Sequence, residues 1–377
     1  MYIKKNVLIL IYVFILFVSL TPFYLWKYQT IVHYVVALGC FIWGLWKRPV
    51  GLSLWAFLFF CLFYIYATLY QYKTNINGMV MTLLPLLVFL INTSYWPKIY
   101  EKFFFLYSVT LIPSLIVYFL VFWIGVNIPF HYLDSLNKLK DYQYLVYPFL
   151  VSDDHPVSFI RFCGYYDEAG VVGTVSGVLL IINNINLKDW KNYPLLLSGI
   201  FSFSLFFYAL ISLYILFWGN LKMKVIVVIA IIVFAVLFLS TDNPFVDLIY
   251  DRVIEKDNYG INRTGSTFDS FWNKYYDSDM FWIGYGHNYA NLVADPGGSS
   301  YTHLVVDYGI IMFLLYTIAF LLYYVSLKLS PRNLFLLFFV FISVIYQRPF
   351  IFSLFYLFLL LAPASVMKSK QMSNHNA

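Results

Sequence analysis

The sequence predicts an all-α integral membrane protein, and three observations support that fold class. Its 377 residues are 62% hydrophobic and only 11% charged, whereas soluble domains are about 45–50% apolar and about 25% charged. Apolar runs of the length that crosses a bilayer, about 20 residues, recur along the whole chain. The basic residues fall in close pairs between those runs. Together these patterns indicate one polytopic membrane domain over residues 1–377.

The first predicted span covers residues 6–25 and is expected to stay uncleaved. Lys4 and Lys5 precede its apolar run, as in a signal peptide, but Thr21 and Pro22 follow it in place of a small-residue cleavage site. Residues 193–218 allow two interpretations, one long tilted helix or two short helices joined by a tight turn near Ser202–Ser204. The other predicted spans are 31–46, 50–70, 79–93, 103–126, 169–186, 225–240, 301–326, 333–346 and 349–366.

The distribution of basic residues favours two crossings over 193–218. Lys and Arg accumulate in the cytoplasmic loops of membrane proteins, and the basic pairs share one face only if 193–218 crosses twice. The result is about twelve transmembrane helices, within a range of 10–14, with both termini and a disordered polar tail at 368–377 in the cytoplasm. The pairs are Lys4/Lys5, Lys47/Arg48, Lys98/Lys102, Lys188/Lys191, Lys222/Lys224, Lys328/Arg332 and Lys368/Lys370.

Two long polar loops, residues 127–168 and 241–300, are then extracytoplasmic. The first carries six acids and three bases and the second nine acids and four bases, which agrees with an outer position. Charges within the spans are scarce, with Asp307 the exception, and this argues against an ion-driven pump. The net charge is +6, but the basic residues lie in pairs between apolar runs, so we expect no nucleic-acid partner. Three cysteines show no metal-ligand spacing: Cys40, Cys61 and Cys163.

The end of the first loop carries the pattern Arg161, Gly164, Glu168 and Gly170. A guanidinium presents a fixed fork of donors that matches phosphate oxygens, and Gly164 permits a tight turn or a close approach to a ligand. Glu168 is a candidate general base or a group that orients the arginine. The alternative is an ordinary ion pair between Arg161 and an acid of the same loop.

The second loop carries another arginine beside small residues, in Asn262-Arg263-Thr264-Gly265-Ser266. A solvated turn is the alternative for this segment, since its composition is typical of turns. Two arginines on one membrane face indicate an anion site there more strongly than either alone.

A third segment begins with Gly284, Gly286 and Asn288 and continues to His303 and Asp307. His303 falls at the start of a predicted span, where a general base for a hydroxyl nucleophile is useful. Asp307 is four residues further on and shares a helix face with it, so it can orient the imidazole. The alternative is that both residues line a wet crevice.

An Asp-x-Asp pair, Asp277 and Asp279, lies in the same loop. Such a pair can hold a divalent metal and a sugar diphosphate, but without neighbouring ligands a solvated loop is the more common explanation. We therefore predict no metal site.

These segments together resemble the O-antigen and capsular polysaccharide polymerase family, within the O-antigen ligase/polymerase superfamily. The family has ten to fourteen spans and two large outer loops. Its Arg-x-x-Gly-x-x-x-Glu-Pro-Gly-like motif is matched from Arg161 to Gly170, with Ala169 in place of proline. The remaining matches are Arg263 with Gly265 and Ser266, Gly284 with Gly286, and Asp307-Tyr308-Gly309-Ile310. A His-Asn pair usual in ligases is replaced by Gly298-Ser299-Ser300, which favours a polymerase.

The resemblance implies a metal-independent glycosyltransferase at the outer face of the bacterial cytoplasmic membrane, with no cofactor. Donor and acceptor are glycans on undecaprenyl diphosphate, and a chain-length regulator is a further partner beside the lipid bilayer. A lipid-linked oligosaccharide flippase and an O-antigen ligase remain alternatives. The implied catalytic residues are Arg161, Arg263, Glu168 and His303. The implied substrate-binding residues are Gly164, Tyr166, Ser266, Gly286, Asn288 and Asp307. Tyr165, Tyr166, Trp272 and Trp282 are candidates for stacking on sugars.

Overall fold

The described part of the chain is predominantly helical, with one small antiparallel sheet. A computed structural model describes residues 5–28, 31–32, 35, 39, 54–70, 79, 82–134, 143–153, 160–239, 266–286, 289–290, 301–347 and 351–375. The contacts group the chain into two compact units, and the predicted single membrane domain stays a prediction. Met1–Phe103 and Arg263–Ala377 form the first unit, and Phe104–Asn262 form the second.

The described residues of both units are mainly α-helical. In chain order they are α1 (Lys5–Ser19), α2 (Leu54–Tyr70), α3 (Trp96–Phe122), α4 (Ala169–Ile182), α5 (Asn192–Phe201), α6 (Leu205–Trp218), α7 (Leu221–Leu239), α8 (Ser266–Tyr276), α9 (Met280–Ile283), α10 (Tyr301–Ser326), α11 (Pro331–Gln347) and α12 (Leu354–His375). Short 3-10 helices lie at Phe23–Tyr28, Leu84–Leu90 and Thr93–Tyr95.

Two described helical stretches have the length and composition to cross a membrane, Thr93–Phe122 and Tyr301–Ser326. Five further apolar helices of the described chain are only 10–17 residues long. The helical class predicted from the sequence is therefore confirmed in its main part, and the number of spans stays a prediction.

The predicted span at 79–93 contains 3-10 helix instead of a continuous α-helix. Pro85 lies at the start of the segment Leu84–Leu90 and has no N–H to donate. The Asn92 side chain accepts a 2.9 Å hydrogen bond from Ser94 N, which offers the backbone a local alternative to helix. Both features favour short turns over a long helix.

The predicted disordered tail is wrong for most of its length, because α12 continues to His375. Lys, Gln and Met in this stretch are good helix formers. In addition, Gln371 Oε1 accepts a 3.3 Å hydrogen bond from Ser330 N, which ties the last turns to the chain segment before α11.

The sheet lies inside the predicted first loop, 127–168, and is a small addition to a mainly helical fold. Its strands β1 (His131–Asp134), β2 (Gln143–Tyr147) and β3 (Leu150–Asp153) are antiparallel in the order β1-β2-β3. Leu145 pairs with Tyr132 on one side and with Ser152 on the other. Aromatic and β-branched side chains in these strands suit a half-buried sheet.

Helix α4 is the centre of the second unit, and all of its fourteen residues are buried. Small residues let its neighbours approach closely. A Cβ atom added at Gly173 would lie 2.6 Å from Ser204 Cβ, and one added at Gly177 would lie 3.0 Å from Leu210 Cδ2. Ser176 Oγ and Ser198 Oγ are 3.1 Å apart, so α5 also packs on this helix.

The core of the first unit is aromatic. Helix α10 packs against α2 through Phe60 and Phe63, whose rings lie 5.8 and 4.7 Å from the ring of Tyr316. Tyr324 donates a 2.9 Å hydrogen bond to Leu360 O of α12. The hydroxyl is thereby satisfied inside an apolar interior, where an unmade hydrogen bond is costly.

Candidate functional site

Residues 160–167, called the arginine loop below, are tied by hydrogen bonds to the surrounding elements of the second unit. Tyr118 of α3 donates to Ile160 O at 2.7 Å, and Phe162 N donates to Phe201 O at 2.9 Å. Val151 N of β3 donates to Gly164 O at 2.8 Å. A loop held at this many points is rigid, because each bond would have to break before it could move.

Arg161 is fixed within this loop by its own side chain. Its Nε donates a 3.0 Å hydrogen bond to Ser202 O, at the C-terminal end of α5. Helix C-termini carry unsatisfied carbonyls and partial negative charge, and they favour a cation. The Arg161 side chain is thus bonded to a main-chain carbonyl outside its own loop, and the predicted alternative of an ion pair with Glu168 or Asp167 stays an alternative.

Three other predicted site residues lie close to Arg161 in sequence and have different environments. Gly164 has φ +59°, a conformation that L side chains rarely adopt. Tyr166 is 1% exposed and stacks on Tyr107 with ring centroids 5.9 Å apart. Glu168 is half-buried and occupies the residue before α4, without a side-chain capping bond.

Tyr165, in the same loop, has a phenol whose pKa is shifted by its surroundings. Burial raises the pKa of the Tyr165 phenol, and a hydrogen bond with Ser114 partly opposes this effect. The phenol therefore stays neutral across the physiological pH range and can act there only as a hydrogen-bonding group.

The turn that holds Arg161 is itself held by α4. Residues Ser202–Ser204 separate α5 from α6, and Phe203 in the middle has φ +46°. This is the tight turn that the sequence analysis offered as one of two interpretations, and the structure confirms it. Gly173 of α4 lies so close to this turn that any larger side chain would collide with Ser204.

A second group of predicted residues meets in the first unit, at a break in α10. Gly309 has φ +78° and ψ +161°, so the helix is interrupted there. The interruption frees carbonyls of the preceding turn, and segment 275–286 supplies donors to them. Tyr275 Oη lies 2.6 Å from Val305 O, and Tyr285 N and Gly286 N donate to Val306 O and Asp307 O at 2.9 Å.

The two segments approach so closely that only glycine fits. A Cβ atom at Gly284 would lie 2.5 Å from Asp307 O, and one at Gly309 would lie 2.3 Å from Trp282 O. Gly284 also has φ +82°. The predicted motif Gly284/Gly286 and the predicted acidic–aromatic–glycine motif at 307–309 are therefore two sides of one contact.

His303 and Asp307 lie four residues apart on the first half of α10 and are both buried, at 8% and 9% exposure. Asp307 Oδ1 accepts a 2.9 Å hydrogen bond from Ala290 N. The carboxylate therefore anchors the main chain at Ala290. The predicted base role of His303 stays a prediction.

The remaining predicted site residues are only partly placed by the structure. Arg263 and Asn288 lie outside the described residues. Ser266 is the first residue of α8. Arg161, Gly164, Tyr166 and Glu168 belong to the second unit, whereas Ser266, Gly286, His303 and Asp307 belong to the first.

Sequence reasoning missed two residues that build these sites, and it missed the helix break at a third. Ser202 acts through its main-chain carbonyl, which no motif can reveal. Tyr275 is one of 35 tyrosines, and nothing in its spacing distinguishes it. Gly309 was part of a predicted motif, and only the break there was missed, although a glycine inside an apolar run is typical of an interrupted membrane helix.

Comparison with protein-family models, with curated proteins and with solved structures finds no match for this chain. The family resemblance therefore rests on the layout and on the motifs themselves.

Proposed function

We propose that this protein is a polysaccharide polymerase embedded in the bacterial cytoplasmic membrane. It joins oligosaccharide repeat units carried on undecaprenyl diphosphate into long chains, as in O-antigen, capsule or exopolysaccharide. The reaction transfers the growing glycan from its lipid diphosphate to a hydroxyl of the next lipid-linked repeat. No metal or cofactor is required in this proposal.

The observation that carries the proposal is the fixed position of Arg161. One of the five N–H donors of a guanidinium is used at Ser202 O, and this bond sets the orientation of the other four. Leaving-group diphosphate gains negative charge as the glycosidic bond breaks. Donors whose orientation is already set can stabilise such charge in the transition state without reorganisation.

The proton of the acceptor hydroxyl needs a base, and Glu168 and His303 are the candidates. Glu168 is half-buried beside the arginine loop, and a carboxylate in such a position can take a proton as the hydroxyl attacks. His303 is more deeply buried. Glu168 is the better candidate because it shares a unit with Arg161.

The proposed topology has about twelve transmembrane helices, with both termini inside and both long loops outside. The length of α5 bears on one crossing, because ten residues at 1.5 Å per residue span about 15 Å, half of the roughly 30 Å hydrocarbon core. If α5 and α6 instead form a re-entrant hairpin, its two ends stay on one side and the proposed sidedness is unchanged.

Cysteine labelling tests the sidedness. Ser270→Cys, in a chain with its native cysteines replaced, should react with a membrane-impermeant maleimide in spheroplasts, and Ser369→Cys should react only after lysis. Protection of residue 270 in intact spheroplasts would place the second loop inside and contradict the proposed outer site.

The function is tested by the size profile of surface glycans in a deletion strain. Wild-type protein should restore long chains, whereas Arg161→Ala should leave single repeats, because loss of one charge-stabilising donor typically costs 10²–10³-fold in rate. Arg161→Lys keeps the charge but loses the fork and should also shorten the chains. Lys188→Ala, at an exposed position, is the control and should behave as wild type. Long chains in a stably expressed Arg161→Ala strain would refute the assigned role.

A flippase is the second candidate, favoured by the break in α10 beside a buried acid. Interrupted helices commonly form substrate sites in transporters. In that case the deletion should trap lipid-linked repeats on the inner leaflet and remove surface repeats altogether. A ligase would instead leave long polymer on undecaprenyl diphosphate, so the same experiment separates all three functions.

A further inference from the structure

The turn between α8 and α9 exposes aromatic rings next to carboxylates. Tyr276 is 61% exposed and Trp282 is 58% exposed, although such large rings are usually buried in folded proteins. Both pack against Phe281, with ring centroids 5.0 and 5.9 Å away. The exposed acids Asp277 and Asp279 lie in the same turn. These five residues are called the aromatic–acidic platform.

The platform is rigid, because its turn is closed by main-chain hydrogen bonds. Ser278 N donates to Tyr275 O at 2.9 Å, and Phe281 N donates to Ser278 O at 3.0 Å. Beneath it, Tyr275 is buried with Val305 and Val306 in a small hydrophobic core. Exposed rings on a fixed base lose little conformational entropy when a ligand binds.

We propose that the aromatic–acidic platform binds uncharged sugar residues of the glycan. The C–H face of a sugar packs on the rings of Tyr276 and Trp282, and its hydroxyls donate hydrogen bonds to Asp277 and Asp279. The inference rests on the proposed polymerase function and deepens it, since it assigns a binding surface to the sugar part of the substrate.

The negative charge of Asp277 and Asp279 favours a neutral sugar over an anionic ligand on these aromatic rings. Two carboxylates repel anionic lipid headgroups and diphosphate, so an anionic membrane surface or the charged end of the substrate is disfavoured. Sugar hydroxyls are neutral donors, and bonds from neutral donors to ionised acceptors are among the stronger hydrogen bonds. The arrangement therefore discriminates the sugar end of the substrate from its phosphate end.

Direct binding tests the proposal with full-length protein in nanodiscs. The probe is the free repeat-unit oligosaccharide, released from the lipid-linked pool of the host by mild acid hydrolysis, and the dissociation constant is measured by titration in saturation-transfer NMR. We expect Trp282→Ala and Tyr276→Ala each to weaken binding about tenfold, which corresponds to about 1.4 kcal/mol. Trp282→Phe should recover part of the loss, and Asp277→Asn should weaken binding severalfold.

Trp190→Ala is the matched control, because Trp190 is also exposed, at 49%. Unchanged affinity in Trp282→Ala, or an equal loss in Trp190→Ala, would overturn the proposal. A nitroxide attached to Trp282→Cys supplies a second measurement. If the nitroxide is more accessible to a water-soluble nickel complex than to oxygen, position 282 faces water and the platform is supported. If the nitroxide is more accessible to oxygen, the ring of Trp282 is a bilayer anchor and the proposal is overturned.

The two proposals fail separately. If the deletion strain keeps long surface glycans while the oligosaccharide binds in a Trp282-dependent way, the polymerase function fails and the platform stands. If the deletion abolishes long glycans while Trp282→Ala binds the oligosaccharide with unchanged affinity, the platform fails and the polymerase function stands.

Discussion

Replacing Gly173 with alanine tests how α4 controls the position of Arg161. The new Cβ would lie 2.6 Å from Ser204 Cβ and 2.9 Å from Ser202 Oγ, whereas carbon atoms in contact are normally about 3.5–4.0 Å apart. Helix α4 is buried along its whole length, so it has little freedom to retreat. The turn Ser202–Ser204 must therefore move away by about 1 Å.

The expected cost follows from two opposing effects. Overpacking a tight interior costs about 1–3 kcal/mol, and two contacts below 3.0 Å place Gly173 toward the upper end. Alanine in a helix interior is more favourable than glycine by about 1 kcal/mol of folding free energy. The net destabilisation is about 1–2 kcal/mol, which lowers the melting temperature by about 2–8 °C for a unit of this size.

The same movement should reduce activity beyond the loss of stability. Ser202 O accepts from Arg161 Nε at 3.0 Å, and a displacement of about 1 Å takes the pair outside hydrogen-bonding range. Gly173→Ala should then shorten surface glycans even in cells that contain normal amounts of protein.

Gly177→Ala is the matched control for both measurements. It makes the same change one turn further along α4, but its closest contact is 3.0 Å to Leu210 Cδ2, the flexible end of a side chain. The assay is thermal unfolding of nanodisc samples at one scan rate, since membrane proteins often unfold irreversibly, together with glycan size profiles. If the two variants melt within about 1 °C of each other and support equal chain lengths, the close approach of α4 to the turn is wrong.

Three further changes test other parts of the structure. Gly309→Ala places a Cβ atom at a residue with positive φ, 2.3 Å from the carbonyl oxygen of Trp282. We expect the unfolding free energy to fall by about 2 kcal/mol or more, which lowers the melting temperature. An unchanged melting temperature would contradict the helix break at Gly309. Tyr275→Phe removes a hydroxyl that bonds α10, which should cost about 1 kcal/mol and speed hydrogen exchange in residues 301–308, while Tyr276→Phe should not. Because burial raises the pKa of Tyr165 in the folded state, its contribution to stability is full below the unfolded value of about 10 and is lost as pH rises through the raised pKa. Tyr165→Phe should flatten that alkaline decline in thermal unfolding, and an identical decline in both proteins would show that Tyr165 does not cause it.

The turn at Ser202–Ser204 shows how far sequence patterns reach. Its two serines inside an apolar run marked it as a place where the helix could break, and the structure confirms the break. The apolar pattern at 301–326 predicted one uninterrupted helix. Gly309 differs because its break depends on donors from residues 275–286, which are distant in the chain.

The candidate site divides in the same way. Arg161 and Gly164 were recognisable because their chemistry and conformational freedom belong to the residues themselves. The substrate contact predicted for Tyr166 stays a prediction, and the burial of its ring against Tyr107 was not predictable because burial depends on which surfaces meet. The sheet within 127–168 was missed because its strands are only four or five residues long, too short for alternation to register.

The sequence by itself determined that this is an apolar helical protein with a few polar segments that carry arginine, glycine and acids. Composition and run length decide that much, because burying polar backbone in an apolar setting requires helices. Only the tertiary structure decided which carbonyl orients Arg161, where α10 is broken and which rings stay exposed at the turn after α8. These features arise from contacts between segments far apart in the chain, and such contacts leave no local pattern in either segment.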